Sequence, residues 1–168
     1  MLAELNAIRA LMNVAFGTGE EAFADEDWEH ALGGVHVVLD LDGEILSHGS
    51  IVERPLEIGG RPYRTGYVEA VATDPSRQGV GFGTQVMDAA TEHIKTSFEL
   101  GALGTGRHAF YQRLGWETWR GPAFVRLPEG EQRTPDEEGY ILVLRTPTSP
   151  PFDLTEKISC DWRPGDVW

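Results

Sequence analysis

Among its 168 residues this chain has a single cysteine, Cys160. One thiol makes no internal disulfide and no zinc cluster, so a disulfide scaffold and a zinc domain are both set aside. Long apolar runs are also missing. None approaches the ~18 residues that a membrane-spanning helix needs. The opening stretch Met1-Leu2-Ala3-Glu4-Leu5-Asn6 lacks the basic start and apolar centre of a secretory signal. A reducing, cytoplasmic setting is the expectation. Positive charge is scarce: 14 Lys and Arg stand against 27 Asp and Glu, for a formal net charge of −13. Such a field repels nucleic acid and attracts a cationic ligand, although acidity also serves solubility alone. The five histidines (His30, His36, His48, His93, His108) show no metal-ligand spacing, and no metal is expected.

What is present suffices for a core. Forty per cent of the residues are apolar, and the length suits one domain spanning 1–168. Leu2, Leu5, Ile8, Met12 and Ala15 recur at helical steps, and Phe16-Gly17-Thr18-Gly19 ends that helix. A second short helix is expected over 24–32, with acids at its start and Gly33-Gly34 after it. Residues 35–39 read as a buried strand, Asp42-Gly43 as a hairpin turn, and 44–54 as the returning strand. Gly59-Gly60 turns the chain into a strand over 63–73. A helix follows over 84–100, with Val86, Ala90, Ile94 and Phe98 on one buried stripe beside Met87. Shorter elements are a strand at 100–103, a helix at 107–114, and strands at 116–119, 124–127 and 140–145. Residues 128–139 read as a charged loop and 146–151 as irregular. Hairpins followed by a strand–helix–strand–helix unit give an α/β chain with a mixed, mostly antiparallel sheet flanked by helices.

The run Asp74-Pro75-Ser76-Arg77-Gln78-Gly79-Val80-Gly81-Phe82-Gly83 links the third strand to its helix. A glycine loop at a helix N-terminus presents backbone N–H groups to an anion. It is not a dinucleotide fingerprint, because hairpins rather than a parallel βαβ unit precede it. Nor is it a Walker loop, because no Gly-Lys-Ser/Thr follows.

The stretch 71–83 resembles the acetyl-CoA loop of the GCN5-related N-acetyltransferases, whose Gln/Arg-x-x-Gly-x-Gly/Ala pattern is met by Gln78, Gly81 and Gly83. About thirty residues on, 109–116 resembles the family's second signature, a helix with Tyr111 followed by Gly115 and Trp116. Segments 27–36, 66–71, 100–103 and the terminal Gly165-Asp166-Val167-Trp168 are similar to the aminoglycoside 2′-N-acetyltransferases within that family. Members normally carry a strand before the first helix. This sequence begins in the helix, which puts the sheet edge in doubt more than the chemistry.

The resemblance implies a fold with strands splayed in a V at the acetyl-CoA site. It also implies transfer of acetyl from acetyl-CoA directly to the 2′-amine of an aminoglycoside, a resistance activity. Glu69 is then the base acting through water, with an ion pair to a core Arg as its structural alternative. Tyr111 is the general acid, or else core packing beside Phe110. The Val71 N–H contacts the thioester carbonyl. Thr73, Gln78, Gly79, Gly81, Gly83 and Thr84 hold pantetheine and pyrophosphate, and Arg77 either adds charge or is an ordinary loop side chain. Asp27, Glu69, Ala70, Asp136, Asp166 and the Trp168 carboxylate are the expected acceptor ligands, with Glu20 and Glu21 as weaker candidates. A homodimer is the family's habit. Two other functions stay open: acetylation of a different polyamine or amino sugar, and non-catalytic binding of drug or CoA.

Overall fold

The computed structural model describes residues 2–19 and 22–168, so the candidates Glu20 and Glu21 lie outside the described residues. The chain divides into two compact units, Met1–Val52 with Val68–Ala90, and Glu53–Tyr67 with Thr91–Trp168. Strands β2 (Glu44–Ile58) and β3 (Arg61–Thr73) and helix α3 (Phe82–Ser97) contribute to both.

The first unit also holds α1 (Leu2–Phe16), α2 (Asp25–Ala31) and β1 (Val35–Leu41). Helix α1 buries Ile8, Leu11 and Met12, while Leu2 at the start of the expected stripe is 76% exposed. These side chains pack with Trp28, Ala31 and Ala72. Gly17 at φ +66° closes α1 by donating its N–H to Asn13. Strands β1 and β2 pair antiparallel across Asp42 (φ 55°) and Gly43 (φ 85°). Two positive φ values in a two-residue loop are what a tight hairpin requires. The expectation of a buried β1 is corrected: Val35, Val38 and Leu41 are all exposed. Among the described residues β1 pairs with β2 and with no other strand, so it is an edge strand rather than a core one. Gly34 is fixed by proximity, because a Cβ there would lie 2.1 Å from the Ile51 carbonyl oxygen.

The second unit adds β4 (Leu100–Gly104), α4 (His108–Gln112), β5 (Glu117–Thr118), β6 (Ala123–Leu127), β7 (Gly130–Arg133), β8 (Ile141–Arg145) and β9 (Ile158–Asp161). Strands are hydrogen-bonded in the order β5-β8-β4-β3-β2-β9-β6-β7. Strand β4 runs parallel to β3, pairing Thr65 with Leu100 and Tyr67 with Ala102, and antiparallel to β8. This mixed α/β architecture agrees with the expected fold class. The stripe on α3 is buried throughout: Val86, Met87, Ala90 and Ile94 are at most 2% exposed and Phe98 9%.

Other expectations need correction here. The charged segment 128–139 carries β7, which forms a hairpin with β6 although all four of its residues are exposed. Backbone pairing made that strand without an apolar pattern to announce it. The tail contributes β9, parallel to β6 and antiparallel to β2. The expected strand at 116–119 shrinks to two residues, Glu117–Thr118; the Trp116 N–H bonds the Tyr111 carbonyl of α4 instead of a neighbouring strand. Strand β2 extends to Ile58, four residues past the expected end.

Candidate active site

In the first unit, β3 carries Glu69, Ala70, Val71 and Thr73 toward the glycine loop, all half-buried. Ala70 interrupts the extended run with φ +51°, a left-handed value that alanine rarely adopts. Ala70 packs against the Ile8–Met12–Trp28 cluster. On the other side, Val71 Cγ2 lies near Gly49, as do Val86 and Met87 of α3. The Ala70 carbonyl accepts a hydrogen bond from His48 Nδ1 at 2.8 Å. Ser47 donates its hydroxyl proton to the Ala72 carbonyl. The 2.8 Å contact between Ser47 and Thr73 hydroxyls is therefore donated by Thr73.

The loop itself is well organised. Asp74 Oδ1 accepts from both the N–H and the hydroxyl of Ser76, which holds the Asp74 carboxyl below its usual range. A 3₁₀ turn, Pro75–Arg77, follows. Gln78 Nε2 reaches back to the Thr73 carbonyl at 3.4 Å. Gly79 (φ +81°) and Gly81 (φ +91°) take left-handed conformations, and a Cβ at either would meet nothing within 4 Å. Conformation, not crowding within the chain, demands these two glycines. Helix α3 then starts at Phe82, and Gln85 makes its first bond back to Gly81. The first-turn N–H groups of α3 have no partner inside the helix, and no acid sits in that turn. Gly83 and Thr84 lie in that turn; Arg77 is exposed. The arrangement fits an anion such as a pyrophosphate. Asp27, at the start of α2, accepts the Ala24 N–H through Oδ2 at 2.9 Å, so one of its oxygens serves the helix end.

In the second unit, Tyr111 on α4 is 7% exposed. It stands edge-on to Phe110 and Trp116. Burial pushes its phenol up to about 12, against a smaller opposing pull from Arg107. The chain terminus is docked, not frayed. Trp168 is 5% exposed, its indole Nε1 donates to Thr134 Oγ1 at 2.9 Å, and its N–H donates to Asp166 Oδ1 at 3.1 Å. Val167 accepts from Arg54 Nη2 at 3.0 Å and Cys160 Sγ at 3.2 Å. Arg54 is itself buried, ion-paired with Asp161 and stacked over the Tyr67 ring. A Cβ on Gly104 would lie 3.7 Å from the Trp168 carboxyl carbon and from the Tyr67 hydroxyl. Trp162, by contrast, is 56% exposed and does not anchor the tail.

Asp136 and Asp166 therefore share one neighbourhood with Trp168, and the sequence reading missed a third acid there. Glu137 is half-buried, and its carboxyl is raised first by burial and then by the Asp166 and Asp136 carboxylates. A run of acids in a loop reads as solvated surface, and only the fold shows that Glu137 is half-buried within reach of the Asp166 and Asp136 charges. Thr134, Arg54, His36 and His48 carried no sequence signal either. Cys160 is fully buried and burial pushes its thiol up to about 11, which suits packing rather than nucleophilic work. Among the described residues no group of three or more His, Cys, Asp or Glu is placed to hold a metal ion. Among the described residues no helix is long and apolar enough to cross a membrane.

Residues 2–119 match a family model described as an acetyltransferase (GNAT) domain. The aminoglycoside 2′-N-acetyltransferase of Mycolicibacterium fortuitum is 42% identical over 153 residues, covering 89% of this chain and 78% of that protein. Among solved structures, a GNAT family acetyltransferase from Brucella melitensis in complex with acetyl-CoA superposes with a TM-score of 0.63 at 18% identity, over 94% of this chain and 90% of that one. A GCN5-related N-acetyltransferase from Kribbella flavida gives 0.61 at 23% identity over 71% of this chain. The chain spans about a third of that longer protein (32%). At these identities the two structures are similar in fold alone.

Proposed function

Since this chain belongs to the GNAT acetyltransferase family, we propose that it transfers the acetyl group of acetyl-CoA to the 2′-amine of aminoglycosides. The observation that carries the choice of acceptor is the docked terminus. The Trp168 N–H bonds Asp166, and the Asp166 and Asp136 carboxylates act on the half-buried Glu137; such a cluster of acids supports a polyammonium ligand. The glycine loop supports the choice of donor: its amides and the acid-free first turn of α3 suit a pyrophosphate.

Glu69 takes the ammonium proton through water, so that a neutral amine attacks. The Val71 N–H stabilises the oxyanion that forms when the amine nitrogen bonds the thioester carbon. Collapse breaks the carbon–sulfur bond and leaves a thiolate. Tyr111 meets that thiolate as a hydrogen-bond donor. Its phenol, raised by burial, is protonated at neutral pH, and burial raises a thiolate in the same site as well, so the O–H stabilises the developing charge and gives its proton to the sulfur, with water reprotonating the phenolate. Thr73, Gln78, Gly79, Gly81, Gly83 and Thr84 hold the cofactor's pantetheine and pyrophosphate, with Arg77 adding charge. Asp27 and Ala70 complete the acceptor contacts. A homodimer and a cytoplasmic location complete the reading.

Incubation with acetyl-CoA and tobramycin, followed by product NMR, tests activity and regiochemistry together. The acetyl group is expected on the 2′-nitrogen, and kanamycin A, with a 2′-hydroxyl, is expected to stay unmodified. Equal turnover of both would sink the regiochemistry. Binding of drug or CoA without product would sink catalysis.

A further inference from the structure

The left-handed Ala70 is surrounded by an arrangement that the reaction above does not use. His48 is fully buried on β2, and its Nδ1 lies 2.8 Å from the Ala70 carbonyl oxygen. Behind it, His36 on β1 places Nδ1 2.8 Å from His48 Nε2, and the two rings stack with centroids 5.1 Å apart. Proton counting fixes the direction of this chain. A carbonyl only accepts, so His48 Nδ1 carries a hydrogen. Neutral His48 then has a bare Nε2, and His36 Nδ1 must donate to it. Both rings are therefore Nδ1–H tautomers, aligned toward Ala70. Burial pushes His48 down to about 4, which keeps it neutral near pH 7.

A left-handed alanine costs energy and persists only where its surroundings hold it. Here the neighbours on either side of the strained residue are Glu69 and Val71. Rotation of Ala70 toward extended geometry would re-aim both the Glu69 side chain and the Val71 N–H. We propose that His48, with His36 behind it, is a positioning residue that locks Ala70 in the left-handed conformation and so fixes the direction of Glu69 and the Val71 N–H. Neither histidine touches the reacting atoms. The consequence for turnover rests on the acetyltransferase reading, but the latch itself does not.

Two measurements separate those claims. In ¹⁵N-histidine-labelled wild-type protein at pH 7, NMR is expected to show His36 and His48 protonated at Nδ1 and bare at Nε2. A His48 protonated at Nε2 alone overturns the latch, whatever the activity. In turnover, Asn places a donor where Nδ1 stood, and Leu has none. H48L is expected to lose at least tenfold in kcat, while its Kd for CoA by calorimetry stays within twofold. H48N is expected to stay within threefold of wild-type kcat. Equal kcat in H48L and wild type, or equal losses in H48L and H48N, refutes the positioning role. If H48L does not fold, the tautomer measurement and H48N decide, with a tenfold loss in H48N counting against the latch. Absence of turnover in wild type defeats the acetyltransferase reading and leaves the tautomer result standing.

Discussion

Truncation of the last side chain, W168A, separates the acceptor site from the rest of the protein. Trp168 is 5% exposed and its indole bonds Thr134. Removing a buried Trp side chain costs about 3–5 kcal/mol at such sites. The preceding residues stay held, because Val167 accepts from Arg54 and Cys160, and Asp166 accepts from Arg163. The loss therefore falls on the final residue, which keeps its backbone bond to Asp166 and its contact with Arg163 but loses the indole anchor that orients its carboxylate. One charge-assisted hydrogen bond to the acceptor, worth about 1.5–3 kcal/mol, disappears. In a steady-state assay of thiol release, kcat/KM for tobramycin should fall about 10- to 100-fold. The Kd for acetyl-CoA should not change, because the proposed cofactor amides lie in the loop before α3. W168F, which keeps an aromatic ring in place while losing the bond to Thr134 and part of the buried volume, should fall between W168A and wild type. A folded W168A with unchanged kcat/KM for the aminoglycoside would refute the assignment of the terminus to the acceptor, as would an equal loss of acetyl-CoA affinity.

Y111F preserves the edge-on packing with Phe110 and Trp116 and removes the O–H, so Tm should hold while kcat drops about 10- to 100-fold. Because the phenol stays protonated up to about 12, wild-type kcat should show no alkaline limb from Tyr111 below pH 10, and a limb abolished by Y111F would contradict this. His48 is depressed from 6.5 to about 4 by burial, so the unfolded chain takes up a proton that the folded chain refuses. Stability should fall as pH drops from 6.5 to 4, by roughly 3 kcal/mol, and urea titrations of wild type and H48N should differ in that slope. Glu137 is raised above 4.5 by burial, Asp166 and Asp136, so its ionisation weakens the fold as pH climbs through and above that value. E137Q should therefore raise Tm at pH 7 in scanning calorimetry and weaken turnover of the polyamine, a trade of activity for stability.

Much of the candidate site was legible because its chemistry is local. The glycine loop is announced by Gly79 and Gly81, which a left-handed backbone requires, and by the apolar stripe of α3 directly after it. The Asp42-Gly43 hairpin followed from the same conformational rule. Tyr111 and Trp116 stand close in sequence and stay close in space. The misses share a cause as well. Strand β7 has four exposed residues, so no alternation marks it, and its pairing with β6 is a backbone property. Strand β1 has the composition of a core strand and lies at an edge, because burial depends on what covers a strand.

By itself the sequence determined the charge, the turn positions, the buried helix stripe and the two signatures of the family, since each rests on residue type or on spacing within one element. Tertiary structure alone decided which distant groups meet. It brought Thr134 and Asp166 to the indole and N–H of Trp168, and set Glu137 beside Asp166. It set His36 and His48 in line with Ala70, across 34 positions of sequence from the first to the last. The reason is physical: hydrogen bonds and desolvation act over a few ångströms, and those distances are fixed by strand pairing and packing, which no single segment encodes.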